Sequence, residues 1–312
     1  MTRERKVLGG LPSWDSHRER STPAMLALLV RVTLLAGRPL MRALLWPVVV
    51  YFWLTGARLR AASREILRRA TGRPPRRRDI LRHFHAFATV FIDRVYLLAG
   101  RAAALEITAK VPDEALAALR AARGCLLLGA HFGSFEVLRI KGTWRNEAPI
   151  RIVLDRKVGR MALGLLERLD PLLAARTIDA GRRGPELVLD IKRAIEAGDL
   201  VGMLADRARA DERAVEVDFL GGRVRLPAGP WMIAAALDVP VLTGFGVYLG
   251  GNRYECRLEL FAPRVVLPRA TRQEALQAQA QRYAARLEEA VRAHPDNWFN
   301  FHEYWLDGRA AS

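Results

Sequence analysis

The sequence predicts an α/β fold, a mixed sheet flanked by helices, preceded by an N-terminal helical region that associates with a membrane. Three observations carry this expectation. From residue 106 onward, short apolar runs alternate with amphipathic stretches, the pattern of strands layered against helices. Residues 43–57 form an apolar run with no charge, between Arg42 and Arg58. The excess basic charge is confined to one end: residues 1–105 hold 20 Lys+Arg against 6 Asp+Glu, and residues 106–312 hold 30 against 27. The chain therefore divides into a basic helical region, 1–105, and an α/β domain, 106–312.

The composition excludes several classes. At 312 residues, 51% hydrophobic and 27% charged, the chain has enough apolar content for a core and is neither disordered nor a multi-span membrane protein. Two cysteines, Cys125 and Cys256, make no disulfide framework and no cysteine-rich zinc site. Both sit inside apolar strand-like runs and read as buried reduced thiols. No apolar stretch with a small-residue cleavage site follows the charged start, so no cleavable signal is expected.

In the N-terminal region, residues 25–37 are apolar apart from Arg31. The uncharged run 43–57 would be a helix about 22 Å long, short of a hydrocarbon core of about 30 Å. Trp46, Tyr51, Phe52 and Trp53 are side chains typical of membrane interfaces. Ten arginines between Arg58 and Arg82 then oppose only Glu65 and Asp79. An apolar anchor beside a polybasic segment suits an anionic membrane surface on the cytoplasmic side. A buried helical hairpin with a solvated basic face would give the same pattern. A nucleic-acid reading leaves the apolar run without a role, so no nucleic acid is expected as partner.

The elements follow in order. Residues 77–100 place Ile80, Phe84, Phe87, Phe91, Val95 and Leu98 on or near one helical face; His83 and His85, two apart, do not share one and read as ordinary. Strands are expected at 124–130, 150–154, 200–204, 239–248 and 254–261. Helices are expected at 134–144, 160–169, 185–196 with Gly198 closing it, 230–237 with Pro230 at its start, and 271–293 with Leu276, Tyr283, Leu287 and Val291 in one stripe. Residues 215–219 and 223–226 flank Gly221-Gly222 as a hairpin.

The chemistry concentrates at His131. A buried strand ends, His131 follows, Gly133 allows a tight turn, Ser134 can cap a helix, and Glu136 falls in its first turn. Strand ends are where α/β sheets place reacting groups. A histidine acting as base needs a second group to fix its tautomer, and Glu136 is near enough to serve. The spacing fits equally well a histidine packed at a strand end, with Glu136 favouring only the helix dipole. No G-x-S-x-G elbow, G-x-x-x-x-G-K-[ST] or G-x-G-x-x-G occurs, and no second His cluster has ligand spacing, so neither a cofactor nor a metal is expected.

The string from His131 to Glu136 resembles the H-x(4)-[DE] motif of the glycerolipid acyltransferase-like (lysophospholipid acyltransferase-like) superfamily, and more closely the bacterial lipid A biosynthesis late acyltransferase family. Further likenesses appear in family order: Asp155-Arg156-Lys157, residues 198–206 ending in Asp206, Phe219-Leu220-Gly221 with Pro227-Ala228-Gly229-Pro230, Val239-Pro240-Val241, and the ending with Pro295, Trp298, Phe299 and His302. The likeness spans most of residues 25–305. Arg207 stands where the family commonly has Gln, and Glu303-Tyr304 replaces its terminal basic residue. The N-terminal pattern resembles the divergent branch found with aryl polyene and flexirubin pathways.

The resemblance implies direct acyl transfer. His131 would take the proton of an acceptor hydroxyl as it attacks a thioester, with Glu136 orienting His131 and steadying its charged form. The implied partners are an acyl carrier protein or acyl-CoA donor and a lipid or glycolipid acceptor, at the cytoplasmic face of a bacterial inner membrane. Arg156 and Arg207 would contact phosphate or carboxylate; the alternative for either is a surface arginine in a weak ion pair, a reading that fits Arg207 equally well. Asp206 would position a loop rather than react. Gly229 would open a helix whose N–H groups bind an anion, or simply a turn. An amine acceptor, and a non-enzymatic basic surface protein on the same fold, are the rival readings.

Overall fold

In the computed structural model, which describes residues 23–141, 150–155, 164, 167, 169–182, 184–209 and 212–306, four helices come first. They are α1 (Pro23–Ala36), α2 (Arg38–Thr55), α3 (Ala57–Thr71) and α4 (Arg77–Leu98). Glycines make the corners. Gly37 has φ +78° between α1 and α2, and Gly56 lies where α3 turns 97° from α2. Among the described residues no single helix is long and apolar enough to cross a membrane, although the bent α2–α3 pair passes the length and composition test together.

Helix α4 joins this region to the sheet. On one side Ile92 and Tyr96 pack with Met41 and Leu45 of α2. On the other, Ala86, Val90 and Leu97 share a cluster with Val137, Leu138, Tyr254 and Phe299. Arg38 donates from Nε and Nη2 to both carboxylate oxygens of Asp93 on α4, at 2.6 and 2.7 Å, and Tyr254 donates to the same carboxylate. Arg38 is 9% exposed and Asp93 is wholly buried, so the pair is desolvated, bidentate and fully hydrogen-bonded, the arrangement in which a buried charge is tolerated.

The remainder is β1 (Glu106–Lys110), α5 (Asp113–Ala121), β2 (Cys125–Gly129), α6 (Phe135–Lys141), β3 (Ile150–Leu154), α7 (Pro171–Ala175), β4 (Thr177–Asp179), α8 (Pro185–Glu196), β5 (Leu200–Leu204), β6 (Ala214–Phe219), β7 (Gly222–Pro227), α9 (Gly229–Leu237), β8 (Val241–Gly250), β9 (Arg253–Ala262) and α10 (Arg272–Ala293). Seven strands form one sheet in the order β1-β9-β8-β2-β5-β3-β4. Every neighbouring pair is parallel except β8 and β9, so the sheet is mixed, as expected, with helices flanking it. Strand β2 is central and buried along its whole length, which is why it reads as a continuous apolar run. Cys125 and Cys256 are both buried within strands.

Strands β6 and β7 form a separate hairpin that packs on α10. Its two-residue turn is Leu220-Gly221 rather than Gly221-Gly222, because Phe219 pairs with Gly222. Both turn residues have positive φ, 50° and 71°. A leucine is strained there, but Leu220 is buried in the core and its N–H donates to Glu288 at 2.5 Å. On α10 the expected stripe of Leu276, Tyr283, Leu287 and Val291 is buried to the last atom.

Candidate active site

His131 lies two residues beyond the end of β2, and Asp206 two residues beyond the end of β5. The strands pair in parallel with Cys125 opposite Leu200 and Gly129 opposite Leu204. That register carried forward puts residue 131 opposite residue 206. Nδ1 of His131 lies 2.9 Å from Asp206 Oδ1, and the His131 backbone N–H donates to Oδ2 at 3.1 Å. Trp298 Nε1–H donates to Oδ2 at 3.2 Å. Asp206 is wholly buried, yet both its oxygens are satisfied.

The electrostatics fix the tautomer. Burial alone would push the Asp206 carboxyl up; the electrostatic pull and hydrogen bonds of the His131 ring and backbone N–H, with the Arg207 charge beside it, outweigh burial and hold it well below the usual carboxylate range. An ionised carboxylate only accepts, so Nδ1 of His131 carries the hydrogen and Nε2 holds the lone pair. Burial lowers the His131 pKa and the charge of Arg207 adds to that; Asp206 pulls the other way without cancelling it. The ring is thus neutral at pH 7. Its side chain is 30% exposed, and Nε2 takes no partner among the described residues.

The loop that carries His131 is clamped from both sides. Ser134 N–H donates to Gly246 O on β8 at 2.7 Å. Gly133 N–H donates to Asn297 O, and Phe299 N–H to His131 O, each at 2.8 Å. Gly133 has φ +57°, and a Cβ there would stand 2.0 Å from Gly246 O. Only glycine passes. The aromatic C-terminal segment is therefore part of the site. Trp298 holds Asp206, Tyr304 Oη–H donates to the Asp206 carbonyl at 2.5 Å, and Asn297 brackets Tyr248 through its N–H and its carbonyl.

Glu136 is placed differently from the expectation. It begins α6, is 2% exposed, and accepts from Arg94 Nε of α4 at 2.9 Å and Arg139 Nε at 3.0 Å. Arg139 also binds Asp170, ahead of α7. No hydrogen bond links Glu136 to His131 among the described residues; the group that orients the ring is Asp206, which the sequence reading assigned to loop positioning. The physical reason is direction. After the Gly133 turn the chain enters α6 beneath α4, so Glu136 meets Arg94, while the strand register delivers Asp206 to the imidazole.

The other expected residues scatter. Arg207 is next to the pair and donates from Nη2 to Phe299 O at 2.6 Å, so one arm of its guanidinium braces the C-terminal segment. Arg156 lies outside the described residues. Gly229 opens α9, but a Cβ on it would lie 3.3 Å from Glu212 Oε1, so a carboxylate already stands at that helix start. Trp298, Asn297 and Arg94 were not singled out by sequence as site residues with these roles. The density of aromatics between 298 and 305 was the available signal.

With this geometry in hand, comparison with known proteins gives one match. A family model described as bacterial lipid A biosynthesis acyltransferase matches residues 183–307, from the start of α8 through Asp206 to the aromatic ending. The match begins after His131 and Glu136. No curated protein matches the chain.

Proposed function

We propose that this chain, a member of the bacterial lipid A biosynthesis acyltransferase family by its residues 183–307, moves a fatty acyl chain from an acyl thioester to a hydroxyl of a lipid or glycolipid at the cytoplasmic face of the bacterial inner membrane. Family membership makes it an acyltransferase acting on lipid. The donor, the acceptor and the residues that do the chemistry are the proposal, with acyl carrier protein favoured over acyl-CoA as donor.

The observation that carries it is the neutral imidazole of His131, with Nδ1–H on Asp206 and Nε2 open. An acceptor hydroxyl donates to Nε2. As its oxygen forms a bond to the thioester carbonyl carbon, the proton passes to Nε2, and Asp206 steadies the imidazolium that results. Collapse of the tetrahedral intermediate breaks the carbon–sulfur bond, and the imidazolium returns its proton to the departing thiolate. The products are an ester and a free thiol, and the ring is neutral again. No acyl-enzyme is needed. Glu136 acts on this site as a positioning residue, by fixing α6 against Arg94 and Arg139.

Membrane association is supported by large apolar side chains left exposed on adjacent helices. Leu28, Leu35, Leu40, Leu44, Trp46, Tyr51, Phe52 and Leu54 on α1 and α2 are all between 45% and 86% exposed. Patches of this kind mark interaction or membrane surfaces. The arginines after them are partly used within the fold: Arg69 stacks on Trp305 at 4.6 Å and Arg73 pairs with Asp79. Arg58, Arg64, Arg76, Arg77 and Arg78 remain exposed for an anionic surface.

The test is direct transfer. The full chain is incubated with labelled acyl–acyl carrier protein, or with acyl-CoA, and with lipid extract, and products are identified by mass spectrometry. An O-acylated lipid formed from the carrier-protein thioester is expected. Amide products only would move the acceptor to an amine, and no transfer from either donor would overturn the proposal.

A further inference from the structure

A cavity of about 580 Å³ lies away from His131, between the start of α2 and the β8–β9 turn. Gly37, Arg38, Pro39, Arg42, Tyr96 and Arg101 line it, and no acidic residue does among the described residues. Asp93, the counter-charge to Arg38, is wholly buried behind it. Arg42 and Arg101 are left as net positive charge on the walls.

Both guanidinium groups are held in place. Arg42 Nη1 donates to Gly251 O at 2.7 Å and its Nη2 to Tyr248 Oη at 3.2 Å. Arg101 Nη1 donates to Leu34 O at 2.6 Å. The Nε–H of Arg42 is buried and has no acceptor among the described residues. A guanidinium with an unmatched charge and an unsatisfied N–H favours an anion beside it. The N-terminal end of α2 adds to the demand. Its cap, Gly37, offers no side chain, and its first turn holds no acidic residue.

The surroundings say which anion. Leu35 is 86% exposed, Leu40 52% and Leu44 47%, all on the helices that border the cavity. A bare ion would leave these side chains in water. We propose that this cavity binds the phosphate group of an anionic membrane phospholipid, with the acyl chains running out over Leu35, Leu40 and Leu44. Arg42 and Arg101 supply charge-assisted hydrogen bonds to the phosphate oxygens. The site is separate from the acyl-transfer site, and it rests on the membrane reading above for the direction in which the chains run. It sets the depth and tilt of the protein on the bilayer, because it ties α1, α2 and the β8–β9 turn to one headgroup.

The experiment is isothermal titration of the full chain with short-chain phosphatidylglycerol below its micelle concentration, with short-chain phosphatidylcholine, and with inorganic phosphate. Saturable binding of phosphatidylglycerol is expected, weakened about tenfold in Arg101→Gln and further in Arg42→Gln/Arg101→Gln, and unchanged in Arg120→Gln, an exposed arginine on α5. Arg101 is exposed and its side chain is bonded to one carbonyl among the described residues, so its variant keeps the test sound if Arg42→Gln unfolds the α2 junction. Phosphatidylglycerol binding no tighter than phosphatidylcholine, or equal in wild type and Arg101→Gln, would overturn the site. Phosphate binding as tight as phosphatidylglycerol would overturn the lipid assignment in favour of a free-anion site. Because the titration uses no bilayer, it stays distinct from vesicle binding: a chain that ignores vesicles yet titrates with the short-chain lipid through Arg101 supports the pocket and removes the membrane reading.

Discussion

Nδ1 of His131 is hydrogen-bonded at 2.9 Å to Asp206, 75 positions further along the chain, and that is the same offset by which β2 and β5 pair. The site is thus an extension of the sheet register. Two groups meet because each lies two residues past the end of its strand, on adjacent parallel strands. Replacing His131 by Ala should lower transfer about 10²–10⁴-fold, the usual loss of a general base. The variant should stay folded with a lowered thermal midpoint, since buried Asp206 keeps the residue 131 backbone N–H and Trp298 but loses the ring N–H. Turnover within a factor of two of wild type would sink the assignment.

How much of this was legible in the sequence depends on burial. Strands β2, β3, β5, β8 and β9 read correctly to within two residues, because apolar runs with breakers at each end have few other readings. Strand β1 did not read as a strand: its sequence, EITAK, is an exposed edge with charged ends. Strand β4 has three residues, too few to show a period, and helices α5 and α7 are short. The His131 turn and the family motifs were visible. The partner of His131 was not, because local spacing favoured Glu136 and only the strand order brings Asp206 alongside. Sequence distance also hid Arg94, which reaches Glu136 from 42 positions away.

Acid should weaken the fold through His83. This ring is wholly buried on α4, with Nδ1 accepting from Ser63 Oγ and Nε2 donating to Trp298 O. Burial pushes its pKa down from 6.5 to about 4, only partly countered by the bond to Trp298. The unfolded chain therefore takes a proton first as pH falls. The stability is present above about pH 6.5 and is lost between there and about 4, to a limit of about 3 kcal/mol. His131 shifts in the same direction and adds to the slope. Urea midpoints measured across this range should fall steeply in wild type and less so in His83→Gln. An equally steep profile in both would contradict the account.

Gly133→Ala should be poorly tolerated. An L side chain at φ +57° and a Cβ 2.0 Å from Gly246 O together cost about 2–5 kcal/mol. Activity should fall with stability, because the same turn aims His131. Denaturant unfolding of the purified variant checks the cost, and a wild-type midpoint would show that the turn relaxes freely.

Vesicle binding should depend on the apolar face of α2. Removing Leu44 and Leu54 together, by Leu44→Ser/Leu54→Ser, strips side chains that are 47% and 62% exposed and so leaves the core untouched. Partition onto neutral vesicles should drop about tenfold or more, as burial of each leucine contributes about 1.5–3 kcal/mol. High salt should weaken only the added attraction to anionic vesicles. Unchanged partition in the double variant would move the anchor elsewhere.

The most direct test sets Asp206 against Glu136. Initial rates of acyl transfer are measured against pH for Asp206→Asn and Glu136→Gln, with melting curves to confirm folding. Asn at 206 would offer an N–H where an acceptor is needed and fix the wrong tautomer, an effect that costs a Ser-His-Asp enzyme about 10⁴-fold. A loss of that order is expected in Asp206→Asn. A smaller rate loss is expected in Glu136→Gln, accompanied by a lower melting temperature, because Arg94 and Arg139 lose their shared carboxylate. The reverse order, with Glu136→Gln nearly inactive and Asp206→Asn close to wild type, would contradict the pairing of His131 with Asp206.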